Sequence, residues 1–185
     1  VRYSRPLLPI EGDQSGFPVH RVFCVGRNYA AHSREMGADD REPPFFFSKP
    51  ASTVICPHGG IPYPPRTHEL HHEVELVVAL AGGGRDLSPA RAADAVFGYA
   101  VGVDFTRRDL QAAAKKQGRP WDTAKGFECS APVSTIRRAH DVPDPGTGSI
   151  RLSVNGEWRQ QGDRADMIWR VDEIIAELST YFELV

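Results

Sequence analysis

The sequence predicts a mixed α/β fold that is mainly β, with a few helices. Its 185 residues include 17 glycines and 15 prolines, a content that favours many turns and short strands. Runs of β-forming residues recur between these turns, whereas only four segments have helical signals. A chain of this length can bury the core of one domain.

The predicted strands are short and separated by turn residues. In chain order they lie at 21–25, 45–48, 71–80, 97–104, 150–154 and 158–160. Asn155-Gly156 joins the last two and predicts a hairpin with a type I′ turn. Residues 1–20 are interpreted as a loose N-terminal lead-in, and residues 21–185 as the main domain.

Four helices are predicted around these strands. The first spans 29–36 and ends at Gly37. Ser88 is expected to cap a second helix at 90–96, because Pro89 follows at the first helical position. A third helix is predicted at 108–117, and an amphipathic fourth at 171–181.

Composition excludes several classes of function. The net charge is −2 without a block of like charge, which argues against a nucleic-acid or membrane-surface partner. The sequence has neither an apolar run near the ~20 residues that span a bilayer nor a signal-peptide pattern at Val1. Three scattered cysteines favour reduced thiols over a disulfide framework, so we expect a cytoplasmic protein.

Glu73 and Glu75 are the first candidate site residues. They lie two apart at the head of a predicted strand, so their side chains point to one face. Asp104, at the end of the strand 97–104, is a possible third partner. Three carboxylates suit Mg²⁺, but the spacing leaves open that the glutamates are solvent-exposed and that Asp104 caps the next helix. Zinc is disfavoured because His71 and His72 face opposite sides.

Two further groups of residues are candidates for catalysis and binding. His32 and Glu35 are three apart on a predicted helix, so the carboxylate can orient the imidazole as a general base. A solvated helix pair is the alternative. In 106–127, basic side chains can hold an anionic substrate and Gln111 and Lys125 can donate to an oxyanion, although most charges of this segment are expected on the surface.

Six segments resemble the fumarylacetoacetate hydrolase family in order and spacing. They are GRNYAAHSREMG (26–37), PPFFFSKP (43–50), LHHEVELVVAL (70–80), GYAVGVDFTRRDLQ (98–111), GRPWDTAKGFECSAPV (118–133) and VNGEWRQQG (154–162). Their details are most similar to small bacterial fumarylpyruvate hydrolases. Acylpyruvases and oxaloacetate decarboxylases share much of this pattern.

The resemblance implies a β-roll with peripheral helices, a homodimer, and a catalytic domain at 21–185. It assigns the Mg²⁺ or Mn²⁺ ligands to Glu73, Glu75 and Asp104, and the water-activating pair to His32 and Glu35. It assigns oxyanion or enolate stabilisation to Lys125 and Gln111. Substrate contacts are assigned to Arg27, Tyr29 and, more weakly, Arg107.

The implied activity is hydrolysis of a carbon–carbon bond in a 2-oxo acid substrate, fumarylpyruvate, in aromatic catabolism. Oxaloacetate decarboxylase and general acylpyruvase are alternatives from the same family pattern. That pattern continues after the last helix with a Gly-Asp turn and a T-G-T-P segment, so we expect the family's C-terminal end to be missing here. A truncated, inactive binding protein is the alternative from a different class.

Overall fold

The computed structural model describes residues 5–29, 42–57 and 59–185. Its backbone contacts divide the chain into two units. The first comprises Val1–Phe23, Ser48–Val77 and Ala100–Ile136, and the second comprises Cys24–Phe47, Val78–Tyr99 and Arg137–Val185. Each unit is therefore assembled from three separate stretches of the sequence.

Strands outnumber helices in the described residues. The strands are β1 (Leu7–Ile10), β2 (Asp13–Pro18), β3 (Val22–Gly26), β4 (Phe45–Lys49), β5 (Val54–Ile55), β6 (Leu70–His71), β7 (Val74–Leu80), β8 (Val96–Val103), β9 (Thr106–Arg107), β10 (Ala131–Pro132), β11 (Arg137–Arg138), β12 (Ser149–Val154) and β13 (Glu157–Asp163). The helices are α1 (Pro89–Asp94), α2 (Arg108–Lys116), α3 (Asp122–Lys125) and α4 (Val171–Tyr181). The predicted mixed, mainly β fold class is confirmed.

The first unit has its core around Ile136, which is fully buried. Leu8 and Ile10 of β1 are also buried, and Ile10 forms a parallel bridge with Ile136. β1 and β2 pair as an antiparallel hairpin, so this part of the chain is more ordered than the expected loose lead-in. The hairpin was not predicted because its apolar residues become meaningful only against a partner far along the chain. The domain boundary near residue 20 stays a prediction.

β7 and β8 neighbour each other in a three-stranded sheet of order β11-β8-β7. Gly102 of β8 lies opposite Val77: a Cβ atom at Gly102 would come within 2.7 Å of Val77 Cγ2. This close approach leaves space only for glycine, because contacts under 3.0 Å force a neighbour to move. The end of β8 that leads to Asp104 is therefore held tightly against β7.

The second unit contains the hairpin of β12 and β13, whose turn residues Asn155 and Gly156 have φ of 52° and 82°. Two positive φ values are what a type I′ turn requires, as predicted. Ser88 caps α1 by accepting a hydrogen bond from Arg91 N at 3.4 Å. α1 packs against α4, which begins and ends where the amphipathic pattern predicts.

Three further predictions concern a membrane-spanning helix, the cysteines and the helix at 29–36. In the described part of the chain, no helix has the length and apolar character needed to cross a bilayer. Cys24, Cys56 and Cys129 are half-buried and form no disulfide with one another. The helix predicted at 29–36 falls, after Tyr29, outside the described residues.

Candidate active site

Strand register brings Glu73 and Asp104 together in the first unit. β6 and β9 pair antiparallel, with Leu70 opposite Arg107 and His71 opposite Thr106. The same register continues two residues further, where Asp104 N donates to the main-chain oxygen of Glu73 at 2.7 Å. Two carboxylates that are 31 positions apart in the chain therefore meet because their backbones are hydrogen-bonded.

Lys125 joins these two carboxylates. It ends the short helix α3, and its ammonium donates to Glu73 Oε2 at 2.8 Å and to Asp104 Oδ2 at 2.6 Å. The lysine side chain is 3% exposed, so water screens the interaction little. Burial alone would lower the pKa of Lys125, but the charges of Asp104 and Glu73 together hold it above its ordinary value.

The pKa of Glu73 lies below its ordinary value. Burial alone would raise it, but the positive charges of Lys125 and Arg108 and their hydrogen bonds outweigh that effect. Glu73 is therefore ionised at neutral pH, and it shares its two carboxylate oxygens between two cations.

Arg108 approaches Glu73 from the start of α2. Its guanidinium donates to Glu73 Oε1 at 2.5 Å and to Gln111 Oε1, one helical turn away, at 2.9 Å. Its Nε lies 3.3 Å from His71 Nδ1. Gln111 is 4% exposed, so its amide faces the inside of the site rather than bulk water. Arg108 thus places a partly accessible positive charge beside the acidic residues.

Lys49 contacts the carboxylate oxygen of Asp104 that does not accept from Lys125. Its Nζ is 2.9 Å from Asp104 Oδ1, in an ion pair whose angle does not make it a hydrogen bond. The residue is 3% exposed, and its ammonium also donates to the main-chain oxygen of Lys125. Asp104 therefore lies between two lysines, with one oxygen toward each.

Glu75 completes the acidic cluster. Burial first, and then repulsion from Asp104 and Glu73, raise the pKa of this carboxyl to about 8. Glu75 nevertheless keeps an exposed surface, although many protein atoms surround it. Solvent therefore screens part of the repulsion that contributes to this upward shift. An additional positive charge would stabilise its ionised form.

These three carboxylates fit a hard divalent cation by their chemistry. All donors are oxygens, and the raised pKa of Glu75 shows that burial and then the neighbouring carboxylates disfavour its ionised form, which a bound cation would stabilise. As placed, however, no three acidic, histidine or cysteine side chains within residues 5–29, 42–57 and 59–185 form a preformed metal cluster. Lys125 Nζ contacts the oxygens of Glu73 and Asp104 that face each other. Side-chain rotation is therefore required for all three to bind one ion.

Arg107 points away from this cluster. Its guanidinium carbon lies 4.3 Å from the centre of the Phe127 ring, and Nη1 donates to the main-chain oxygen of Thr123 at 3.0 Å. Arg107 is 9% exposed, and its Nε has no hydrogen-bond partner among the described residues. Its expected contact with substrate stays a prediction, while the neighbouring Arg108 has the accessible guanidinium.

Arg27 and Tyr29 belong to the second unit. Arg27 has a φ of 55° and lies 5.4 Å from the Phe45 ring centre, with Glu42 Oε2 at 3.7 Å from its Nη2. Tyr29 forms an antiparallel bridge with Met167. Their expected substrate contacts stay predictions.

Asn28 connects the segment that contains Arg27 and Tyr29 to Trp169, which lies just before α4. Its side chain donates to Trp169 O and accepts from Trp169 N, both at 2.9 Å. Trp169 Nε1 donates to Glu42 O at 3.1 Å. The residues on either side of 30–41 are thus anchored to one tryptophan.

His32 and Glu35 lie outside the described residues, so their predicted role as a water-activating pair stays a prediction. The sequence interpretation did not single out two residues that the structure places at the site: Lys49 was given no role, and Arg108 was included only among the basic residues of 106–127. Lys49 ends the quoted PPFFFSKP motif, and Arg108 directly follows Arg107. A signal for Arg108 was present in its i, i+3 spacing to Gln111, which places both on one face of α2.

Comparison with known proteins identifies relatives over nearly the whole chain. The sequence profile of the fumarylacetoacetate (FAA) hydrolase C-terminal family matches residues 21–185. Oxaloacetate tautomerase YcgM of Escherichia coli is 41% identical over 175 residues, which cover 94% of this chain and 80% of the relative. The mitochondrial oxaloacetate tautomerase FAHD1 of Homo sapiens is 43% identical over 164 residues, covering 88% of this chain and 74% of the relative.

Two solved structures share the fold along the full length of the chain. A fumarylpyruvate hydrolase from Pseudomonas aeruginosa, solved in complex with Mn²⁺ and pyruvate, is 46% identical with a TM-score of 0.94, over 100% of this chain and 81% of that one. A Burkholderia cenocepacia protein provisionally named fumarylpyruvate hydrolase is 54% identical with a TM-score of 0.92, over 100% and 80%. By profile, sequence identity and fold, the chain belongs to the fumarylacetoacetate hydrolase C-terminal family.

Proposed function

We propose that this protein hydrolyses a carbon–carbon bond in an acylpyruvate, with fumarylpyruvate as substrate and fumarate and pyruvate as products. The observation that carries the proposal is the cluster of Glu73, Glu75 and Asp104 with Lys125 and a partly accessible arginine. Such a cluster combines oxygen ligands for a cation with positive charges that can hold a 2-oxo acid. The fumarylpyruvate hydrolase that matches the whole chain at 46% identity supports this choice.

We assign the cation site to Glu73, Glu75 and Asp104. A divalent cation bound there supplies a Lewis acid for the carboxylate and keto oxygens of the 2-oxo acid end. The Mn²⁺ and pyruvate in the Pseudomonas aeruginosa relative support the presence of Mg²⁺ or Mn²⁺ in this protein. The pKa of the Glu75 carboxyl is raised, so Glu75 would have to lose its proton before it binds the cation.

Arg108 and Gln111 are proposed to hold the polar groups of the substrate. Arg108 is 32% exposed, so its guanidinium can leave part of its contact with Glu73 for a substrate carboxylate. Gln111 lies 2.9 Å from Arg108 Nη1 and offers an amide to a developing oxyanion. Lys125 is ionised and buried, so its ammonium can stabilise the negative charge on the pyruvate enolate that leaves.

The water nucleophile is assigned to His32 and Glu35. In this step the imidazole takes a proton from water, hydroxide adds to the distal carbonyl, and the carbon–carbon bond breaks to release fumarate and the enolate. Protonation of the enolate carbon completes pyruvate. His32→Ala should abolish hydrolysis but leave Mn²⁺ binding, measured by calorimetry, unchanged; full hydrolytic activity would contradict the assignment.

Oxaloacetate tautomerisation is the second candidate, because two relatives that are 41% and 43% identical have that name. Keto–enol exchange needs the same 2-oxo acid site but no carbon–carbon cleavage. Oxaloacetate decarboxylation is a related third outcome, in which the enolate forms by loss of carbon dioxide.

A substrate panel separates these activities. Fumarylpyruvate, acetylpyruvate and oxaloacetate are each supplied with Mn²⁺, with Mg²⁺ and with EDTA. We expect metal-dependent pyruvate release from fumarylpyruvate, measured by coupling to lactate dehydrogenase. A change in the enol absorbance of oxaloacetate without pyruvate release indicates a tautomerase instead. Glu73→Gln should remove the metal-dependent activity, and retention of that activity would overturn the metal assignment.

A further inference from the structure

We propose that Lys49 is a positioning residue that orients both Asp104 and Lys125 for the proposed reaction. Lys49 ends β4, and only 3% of its surface is exposed. An ammonium group removed from water to this extent requires negative or polar partners. Two of these partners belong to Asp104 and Lys125, the residues that carry the proposed cation binding and enolate stabilisation.

Lys49 controls the rotation of the Asp104 carboxylate. Its Nζ lies 2.9 Å from Oδ1, while Oδ2 receives a hydrogen bond from Lys125 at 2.6 Å. A carboxylate held at one oxygen cannot turn about its Cβ–Cγ bond without losing that ion pair. Lys49 therefore keeps the other oxygen directed toward Lys125, whose ammonium also donates to Glu73.

Lys49 also fixes the base of the Lys125 side chain. Its ammonium donates to the main-chain oxygen of Lys125 and to Ser130 Oγ, the latter at 3.0 Å. Ser130 Oγ in turn donates to the same Lys125 oxygen at 2.9 Å, and Ser130 is fully buried. Lys49 and Ser130 thus both donate to the main-chain oxygen of the last residue of α3. Further contacts at 3.2 Å to Phe105 O and Ser130 O share the three protons of the ammonium.

A purely structural role for Lys49 makes a different prediction. If Lys49 only neutralised the buried Asp104, its loss would lower stability but leave the turnover of each folded molecule unchanged. A positioning role requires turnover itself to fall, because a displacement of about 1 Å in a catalytic group can cost about 10²-fold in rate. The kinetic part of this inference rests on the proposed function.

The test compares Lys49→Met and Lys49→Arg with the wild type at saturating Mn²⁺ and fumarylpyruvate. We expect kcat per folded molecule to fall by about 10²-fold in both variants, while KM changes by less than about threefold. Arginine keeps the charge, but its planar guanidinium cannot reproduce the contacts of a compact ammonium. Lys116→Met is the control, because Lys116 is exposed at the end of α2.

Folded protein is quantified by circular dichroism during a thermal melt, and both variants are crystallised with Mn²⁺. The crystal structures should show Asp104 Oδ2 or Lys125 Nζ displaced by about 1 Å. Unchanged positions, unchanged kcat, or full activity in Lys49→Arg would each overturn the inference. If Lys49→Met does not fold, Lys49→Arg carries the test. If the wild type releases no pyruvate, the proposed function fails, and the crystal structures alone decide the role of Lys49.

Discussion

Replacement of Lys125 by methionine should destabilise the metal-free protein in a manner that depends on pH. The ammonium lies 2.8 Å from Glu73 Oε2 and 2.6 Å from Asp104 Oδ2, so the two oxygens are no further apart than these contacts combined. Two unit charges about 5 Å apart repel by about 3 kcal/mol at an effective dielectric constant of about 20. Removal of one partner from a buried ion pair typically costs about 3–5 kcal/mol.

We therefore expect the free energy of unfolding to fall by about 3 kcal/mol near neutral pH. For a chain of this size the corresponding decrease in Tm is about 6–12 °C. Methionine keeps most of the side-chain volume, so the loss should report charge rather than a cavity. Urea unfolding in EDTA measures it, with Lys116→Met as the control for a lysine that is exposed.

The decrease in the free energy of unfolding caused by Lys125→Met should be smaller at acidic pH. In the wild type the pKa of Glu73 is lowered, so its contribution to stability is present above the unfolded value of 4.5 and is lost as the pH falls through the folded value. In the variant, burial and mutual repulsion disfavour the ionised carboxylates, so the penalty grows as the pH rises from the ordinary carboxyl range toward neutrality. A loss under about 1 kcal/mol near neutral pH, or one independent of pH, would refute this reasoning.

Three other predictions test separate parts of the structure. Because burial and then neighbouring carboxylates raise the pKa of Glu75 from 4.5 to about 8, the metal-free fold should lose stability as the pH rises from about 4.5 to about 8, and the loss should level off above that value. Glu75→Gln should flatten the decrease of Tm over this pH range in EDTA buffer; equal slopes in both proteins would contradict it. Arg108→Met should raise KM for fumarylpyruvate by about tenfold or more, whereas Arg107→Met should not. Steady-state kinetics measures both values, and a larger increase in KM for Arg107→Met would contradict the prediction. Gly26→Ala places a Cβ 2.0 Å from the Phe45 ring and should cost about 1–3 kcal/mol by calorimetry, with an unchanged Tm as the contrary result.

Local patterns were sufficient for much of the fold. The Asn155-Gly156 turn, the Ser88 cap and the bounds of α4 depend on interactions within a few residues, and the structure agrees with each. The hairpin of β1 and β2 was not predicted, because its buried residue Ile10 pairs with Ile136, which is far away in the sequence.

The candidate site also combines residues that local patterns predict with residues that only distant contacts bring together. The spacing of Glu73 and Glu75, together with the family motifs, selected the acidic residues of the cluster and also Lys125. No local pattern could place Lys49 beneath Asp104, since Lys49 contacts Lys125 across 76 positions of sequence.

Residue identities and short-range spacings were enough for the resemblance to the family and for the fold class, and both are confirmed. Only the tertiary structure distinguished Arg108, whose guanidinium reaches Glu73, from its neighbour Arg107, which is buried against Phe127. The physical reason is that adjacent residues leave the backbone in different directions at the start of α2. Which of them faces the site depends on strand pairing and packing of distant segments.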